Sequence, residues 1–143
     1  MIAYLDTSAL VPLLVAEPTS GVCRRVWADA DRIVTSRLTY VEAGAALAMA
    51  ERQGRVTAAG YGAAWSNLSQ IWPDVDVVEV TAEVAANATA FARSRSLRGY
   101  DAVHCASAMV LDDPECVAVA GDSKLLAAWH SLGVAVLDVN RAD

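Results

Sequence analysis

Four acidic residues stand where a chain could do chemistry: Asp6 in Tyr4-Leu5-Asp6-Thr7-Ser8, Glu42 in Tyr40-Val41-Glu42-Ala43, Asp101 in Tyr100-Asp101-Ala102-Val103, and Asp122 in Ala120-Gly121-Asp122-Ser123. Asp6 is the only charge in the first sixteen residues, and Glu42 and Asp101 are set among apolar or small neighbours. Carboxylates gathered in such surroundings repel one another and take up protons. A divalent cation removes that cost. An all-oxygen donor set suits Mg2+ or Mn2+, hard ions that keep several waters and bridge to phosphate. The chemistry of such a site is hydrolysis of a phosphodiester. The ion lowers the pKa of a water and neutralises charge on the phosphate, while a neighbouring carboxylate orients or deprotonates that water. Each acid taken singly also fits a helix start. Thr39 to Glu42 has capping-box spacing, Asp6 and Asp122 fit N-caps, and Asp101 complements a helix dipole. Spacing alone leaves both readings open.

The elements that must position these acids are legible as alternating runs. Short apolar stretches at 2–5, 32–36, 75–80, 117–120 and 134–139 are predicted strands, mostly without in–out alternation, as in a sheet buried on both faces. Helices are predicted over 19–30, 39–53, 57–72, 81–96, 100–111 and 122–132. Gly54 and Gly133 serve as C-terminal stops, Pro73 ends the third helix, and Gly99 separates the fourth from the fifth. Strands alternating with helices predict an α/β fold, a three-layer α/β/α sandwich around a central, mostly parallel five-stranded sheet. A single domain over residues 1–143 is expected. Open sheets of this kind bind ligands beyond the carboxyl ends of their strands. Asp6 and Asp122 follow the first and fourth strands, Glu42 lies six residues past the second, and Asp101 opens a helix, so all four are expected at one sheet edge.

Composition sets further bounds. A chain of 143 residues, 55% apolar, can bury a core without disulfides. The formal charge of −6 argues against broad, non-specific nucleic-acid binding. No apolar run approaches the ~20 residues needed to cross a bilayer, and no secretion leader is expected. Cys23, Cys105 and Cys116 lack a C-x-x-C pair and read as small buried residues in a reducing compartment, the cytoplasm, rather than as zinc ligands. Arg93, Arg95 and Arg98 precede Asp101, either to meet RNA phosphates or as a solvated face. His104 reads as a supporting or packing residue rather than a catalytic one, and a dyad with adjacent Cys105 is disfavoured because neighbours on a helix face different directions. Trp27, Trp65, Trp72 and Trp129 fall on predicted helices as core or interface residues, and the Tyr61, Trp65 and Trp72 spacing fits a self-pairing helix face.

The quoted segments resemble the PIN-domain nucleases, most closely the VapC toxins of bacterial toxin–antitoxin pairs. The resemblance covers essentially the whole chain through Met1 to Leu10, Thr39 to Ala43, Asp101 to Ala108 and Gly121 to Leu126. It implies that Asp6 and Asp101 hold Mg2+ or Mn2+ most directly, that Asp122 helps, and that Glu42 positions or activates the attacking water. It also implies that the Ser8 hydroxyl hydrogen-bonds within the acidic cluster. The implied activity is endoribonucleolytic, leaving a 5′-phosphate and a 3′-hydroxyl. The implied assembly is a homodimer silenced by a cognate antitoxin that covers the site. One departure stands out: the family's fourth motif usually carries Thr or Ser two residues before its acid, where this chain has Ala120. The rivals are a non-cutting module that binds RNA or an antitoxin, and a solitary RNA-processing nuclease. A phosphoacceptor receiver lacks its acid after the third strand here, and a haloacid-type phosphatase would need an acid where Ser8 stands.

Overall fold

Valine- and isoleucine-rich runs build the centre of the molecule, because β-branched side chains pack well on a pleated surface. The computed structural model describes residues 1–141. Its strands are β1 (Ile2–Leu5), β2 (Arg32–Ser36), β3 (Asp76–Val78), β4 (Cys116–Ala120) and β5 (Ala135–Asp138). They form one sheet in the order β3-β2-β1-β4-β5, and every pairing is parallel. The central strand β1 is buried along its whole length.

The helices are α1 (Thr7–Leu10), α2 (Ser20–Asp29), α3 (Arg37–Arg52), α4 (Ala58–Ile71), α5 (Ala82–Ser94), α6 (Gly99–Met109) and α7 (Ser123–Ser131). Alternate residues of β1 serve opposite layers. Ile2 and Tyr4 join the core under α5, α6 and α7, with Val84, Ala106 and Trp129. Ala3 and Leu5 join the other core with Cys23 and Val26 of α2. A third cluster packs Leu10 and Leu14 against Leu47 of α3 and Leu68 of α4. The fold is the expected α/β/α sandwich, with the α3–α4 pair added at one side.

Several boundaries differ from the sequence reading for local reasons. The sheet is wholly rather than mostly parallel. The acid at position 6 starts a one-turn helix, α1, continued by a 3-10 turn at Val11–Leu13, both in a stretch where the apolar pattern predicts no helix. Helix α3 begins two residues early, at Arg37, because Ser36 is its N-cap, with Oγ accepting from the Leu38 N–H at 3.1 Å. Thr39 is buried instead, its hydroxyl 2.7 Å from that of Thr35, so no capping box forms and Glu42 stands in the second turn. The break before α6 falls at Ser96, which takes a left-handed φ of 55°, and Gly99 is the first residue of α6.

Candidate active site

Parallel topology sends every β-strand's carboxyl end to the same edge. The sheet order reverses direction between β1 and β4, which is where open α/β sheets form their binding crevice. Asp6 leaves β1 at this point and Asp122 leaves β4. Glu42 arrives from α3, and Asp101 from the first turn of α6. All four acids line one cleft of about 190 Å3, together with Thr7 and His104. A larger cleft of about 790 Å3 lies between β3 and helices α5 and α6; none of the four acids lines it.

Three of the four acids anchor one oxygen in the fold. Asp6 is both an N-cap and a pocket residue. Its Oδ1 accepts from the Ala9 N–H at 3.1 Å and from the Ser8 hydroxyl at 2.6 Å. Asp122 caps α7, its Oδ1 accepting from the Leu125 N–H at 3.0 Å. Glu42 Oε1 takes Thr7 Oγ1 and His104 Nε2, both at 2.7 Å. Capping and clustering are therefore the same arrangement at Asp6 and Asp122, and the two readings left open by spacing were never exclusive there.

Arg98 closes one side. Its Nε donates to Asp101 Oδ2 at 3.1 Å, and its Nη2 reaches Asp122 Oδ2 at 3.5 Å. The guanidinium also lies over the Tyr100 ring, 4.8 Å from its centroid. Arg98 is the arginine of the Arg93, Arg95 and Arg98 run that reaches the pocket.

The electrostatics separate the acids. Burial drives the Asp6 carboxyl up from its ordinary 3.8 to about 6, even though His104 and the bonds from Ser8 and Ala9 pull it down. Asp101 is also raised, by burial first and by neighbouring Asp122 second. Burial works on Glu42 in the same direction, but the hydrogen bonds from His104 and Thr7 outweigh it and hold that carboxyl below its usual range. Glu42 is thus held as a carboxylate while Asp6 and Asp101 are pushed toward the protonated form.

The family profile of the PIN domain matches residues 3–128. The chain belongs to the PIN-domain family. This PIN domain is 38% identical over 135 residues to Ribonuclease VapC45 of Mycobacterium tuberculosis, covering 94% of each chain. It is similar in structure to PAE2754 from Pyrobaculum aerophilum, with a TM-score of 0.69, 26% identity, and 98% of this chain and 85% of that one covered. It also shares its fold with a toxin-antitoxin complex from Klebsiella pneumoniae, at a TM-score of 0.67 and 14% identity, covering 96% of this chain and 97% of that one.

The donor chemistry of the PIN pocket suits a hard divalent cation. Its anionic groups are all carboxylates, and two of them, Asp6 and Asp101, are raised by burial and would gain from a counter-charge. Among the described residues no three Asp, Glu, His or Cys side chains converge on a ready-made metal cage. Mg2+ does not require one, since it binds through one or two carboxylates and retains waters. Sequence reading passed over Thr7 and Tyr4. Thr7 is separated from a plain helix-start residue only by being next to Asp6, and Tyr4 looks like any core residue of a strand.

Proposed function

We propose that this PIN domain is a Mg2+- or Mn2+-dependent endoribonuclease, the toxin of a VapBC-type pair. The observation that carries the proposal is the single cleft into which four separately held acids project, on a chain 38% identical to a protein named a ribonuclease. Asp6 and Asp101 would hold the cation, with Asp122 assisting. When bound, the ion supplies positive charge to the phosphate and acidity to a water. Ser8 holds Asp6 at one oxygen and leaves the other for the pocket. Glu42, kept ionised, takes a proton from the attacking water. Attack joins the water oxygen to phosphorus and breaks the bond to the 3′ oxygen, which takes a proton from solvent, so that a 5′-phosphate and a 3′-hydroxyl are left. Arg98, whose side chain is 65% exposed at the mouth of the cleft, is placed to meet a phosphate oxygen.

An antitoxin partner and self-pairing belong to the same proposal. The first is supported by the fold shared with a toxin-antitoxin complex. For the second, Tyr40, Val41 and Met49 are exposed apolar side chains on α3, and the Tyr40 ring meets those of Trp65 and Trp72 at steep angles, with centroids 5.6 and 5.1 Å away. Light scattering of the free chain reads its oligomeric state directly. Among the described residues no helix is long and apolar enough to cross a membrane. The three free, buried cysteines fit the cytoplasm.

The test is incubation of the purified, antitoxin-free chain with total bacterial RNA and Mg2+ or Mn2+, then with EDTA, beside Asp6→Asn and Asp101→Asn. Discrete fragments that need metal and disappear in both variants are expected. A folded wild type that cuts nothing would replace this reading with the non-cutting binding module; variants that cut equally well would overturn the carboxylate mechanism.

A further inference from the structure

Behind Glu42 runs a chain of buried hydrogen bonds that joins three elements far apart in sequence. The Tyr4 phenol on β1 is fully buried and lies 2.8 Å from His104 Nδ1 on α6. His104, itself 2% exposed, presents Nε2 to Glu42 Oε1 on α3 at 2.7 Å. Thr7 completes a triangle, 2.7 Å from the same oxygen and 3.4 Å from Nε2. Both donors meet at Oε1; among the described residues no hydrogen bond is made to Oε2.

The protons in this chain can be assigned. A carboxylate only accepts, so the hydrogen between Glu42 and His104 rides on Nε2. A buried phenol must place its own proton on an acceptor. Nδ1 of the Nε2–H ring, 2.8 Å away, offers that lone pair; the Ser107 hydroxyl, which donates to the Val103 carbonyl at 2.7 Å, also contacts the phenol. Edge-on packing of Tyr4 against Trp129 and His104, at 5.7 and 6.0 Å between ring centroids, fixes where the phenol points.

We propose that His104 is a positioning residue for the nuclease reaction: locked in its Nε2–H tautomer by the Tyr4 hydroxyl, it pins Glu42 through Oε1 and leaves Oε2 to take the proton of the attacking water. The inference rests on Glu42 acting as the base in the proposed function. A glutamate at the second turn of a helix has three rotatable bonds and no cap to fulfil, so its direction has to be set from outside α3. His104 and Thr7 set it.

The tautomer is read on the 15N-labelled, metal-free chain by long-range imidazole correlation spectroscopy, with His130→Gln assigning the second histidine. A proton on Nε2 and none on Nδ1 is expected; a ring protonated on Nδ1 overturns the proposal. Cleavage of total RNA in saturating Mn2+ supplies the second readout. His104→Leu should lower the rate roughly 10- to 100-fold while Mn2+ affinity, followed by electron paramagnetic resonance, stays at the wild-type value. His104→Gln keeps an N–H near Glu42 and should recover most of the rate. Tyr4→Phe should show a smaller loss together with a shift of the tautomer balance, and it decides the matter if the leucine variant does not fold. Full rates in folded His104→Leu and Tyr4→Phe beside an inactive Glu42→Gln would refute the positioning role alone. An active Glu42→Gln would instead remove Glu42 from the proposed reaction.

Discussion

The Ser8 hydroxyl accepts a hydrogen bond from the Gly121 N–H at 2.8 Å while donating to Asp6 Oδ1 at 2.6 Å, so one oxygen ties the end of β1 to the end of β4. Asn140 braces the same peptide by donating to the Gly121 carbonyl at 3.0 Å. This link bears on the missing hydroxyl at Ala120. Position 120 carries no hydroxyl, and the Gly121 N–H that follows it is met by the Ser8 hydroxyl from α1.

Ser8→Ala should therefore loosen two acids at once. Loss of a partly buried hydrogen-bond pair costs about 1–2 kcal/mol, measurable by urea denaturation. The concentration of Mn2+ needed for half-maximal cleavage should rise, because both Asp6 and the loop carrying Asp122 lose their brace. A variant with unchanged stability and metal requirement would show that Ser8 is a bystander.

Asp6 gives the metal-free chain a characteristic pH response. Its carboxyl sits at about 6 in the fold against an ordinary 3.8, so between these values the folded chain holds a proton that the unfolded chain has lost. Stability from this group is fully present below about 4 and is lost as pH rises through about 6. Above that the ionised group costs roughly 3 kcal/mol. Asp6→Asn should then melt higher than wild type at pH 7.5 without metal, with the difference vanishing near pH 4. Equal melting temperatures at both pH values would mean that the carboxylate is solvated rather than buried.

Arg98 holds oxygens of Asp101 and Asp122 that a cation would also want. Arg98→Gln should bind Mn2+ several-fold more tightly at low salt, an advantage that shrinks as salt screens the exposed guanidinium. The same variant should cleave dilute RNA more slowly, having lost a phosphate contact. Isothermal titration against Mn2+ separates the two effects; weaker Mn2+ binding in the variant would mean that Arg98 orders the carboxylates instead of competing for them.

The α3–α4 contact depends on a missing side chain. A Cβ at Gly44 would meet the Trp65 ring at 3.1 and 3.3 Å. Gly44→Val should cost about 1–3 kcal/mol by forcing the ring aside, read as a lower melting temperature. If α4 simply shifts to accommodate the methyls, the melt will not move.

Sequence alone determined a good deal here, and the reasons are local. The period of the apolar runs fixes strands and helices, and parallel strands oblige crossover helices, so the sheet and the edge carrying Asp6 and Asp122 follow from pattern. Gly54 and Gly133, with φ of 72° and 86°, stop their helices as their residue type requires. Motif order added Glu42 and Asp101. What sequence could not decide was which hydroxyls and rings serve the acids. Thr39 has capping-box spacing, yet packing buries it against Thr35 and hands the cap to Ser36, since tertiary burial outweighs a bond worth about 1 kcal/mol. Likewise Tyr4 and His104 lie 100 positions apart, and His104 and Glu42 lie 62 apart. Their alignment exists only because β1, α3 and α6 close on one core, where a buried polar atom must find its partner. Tertiary structure alone decided that pairing.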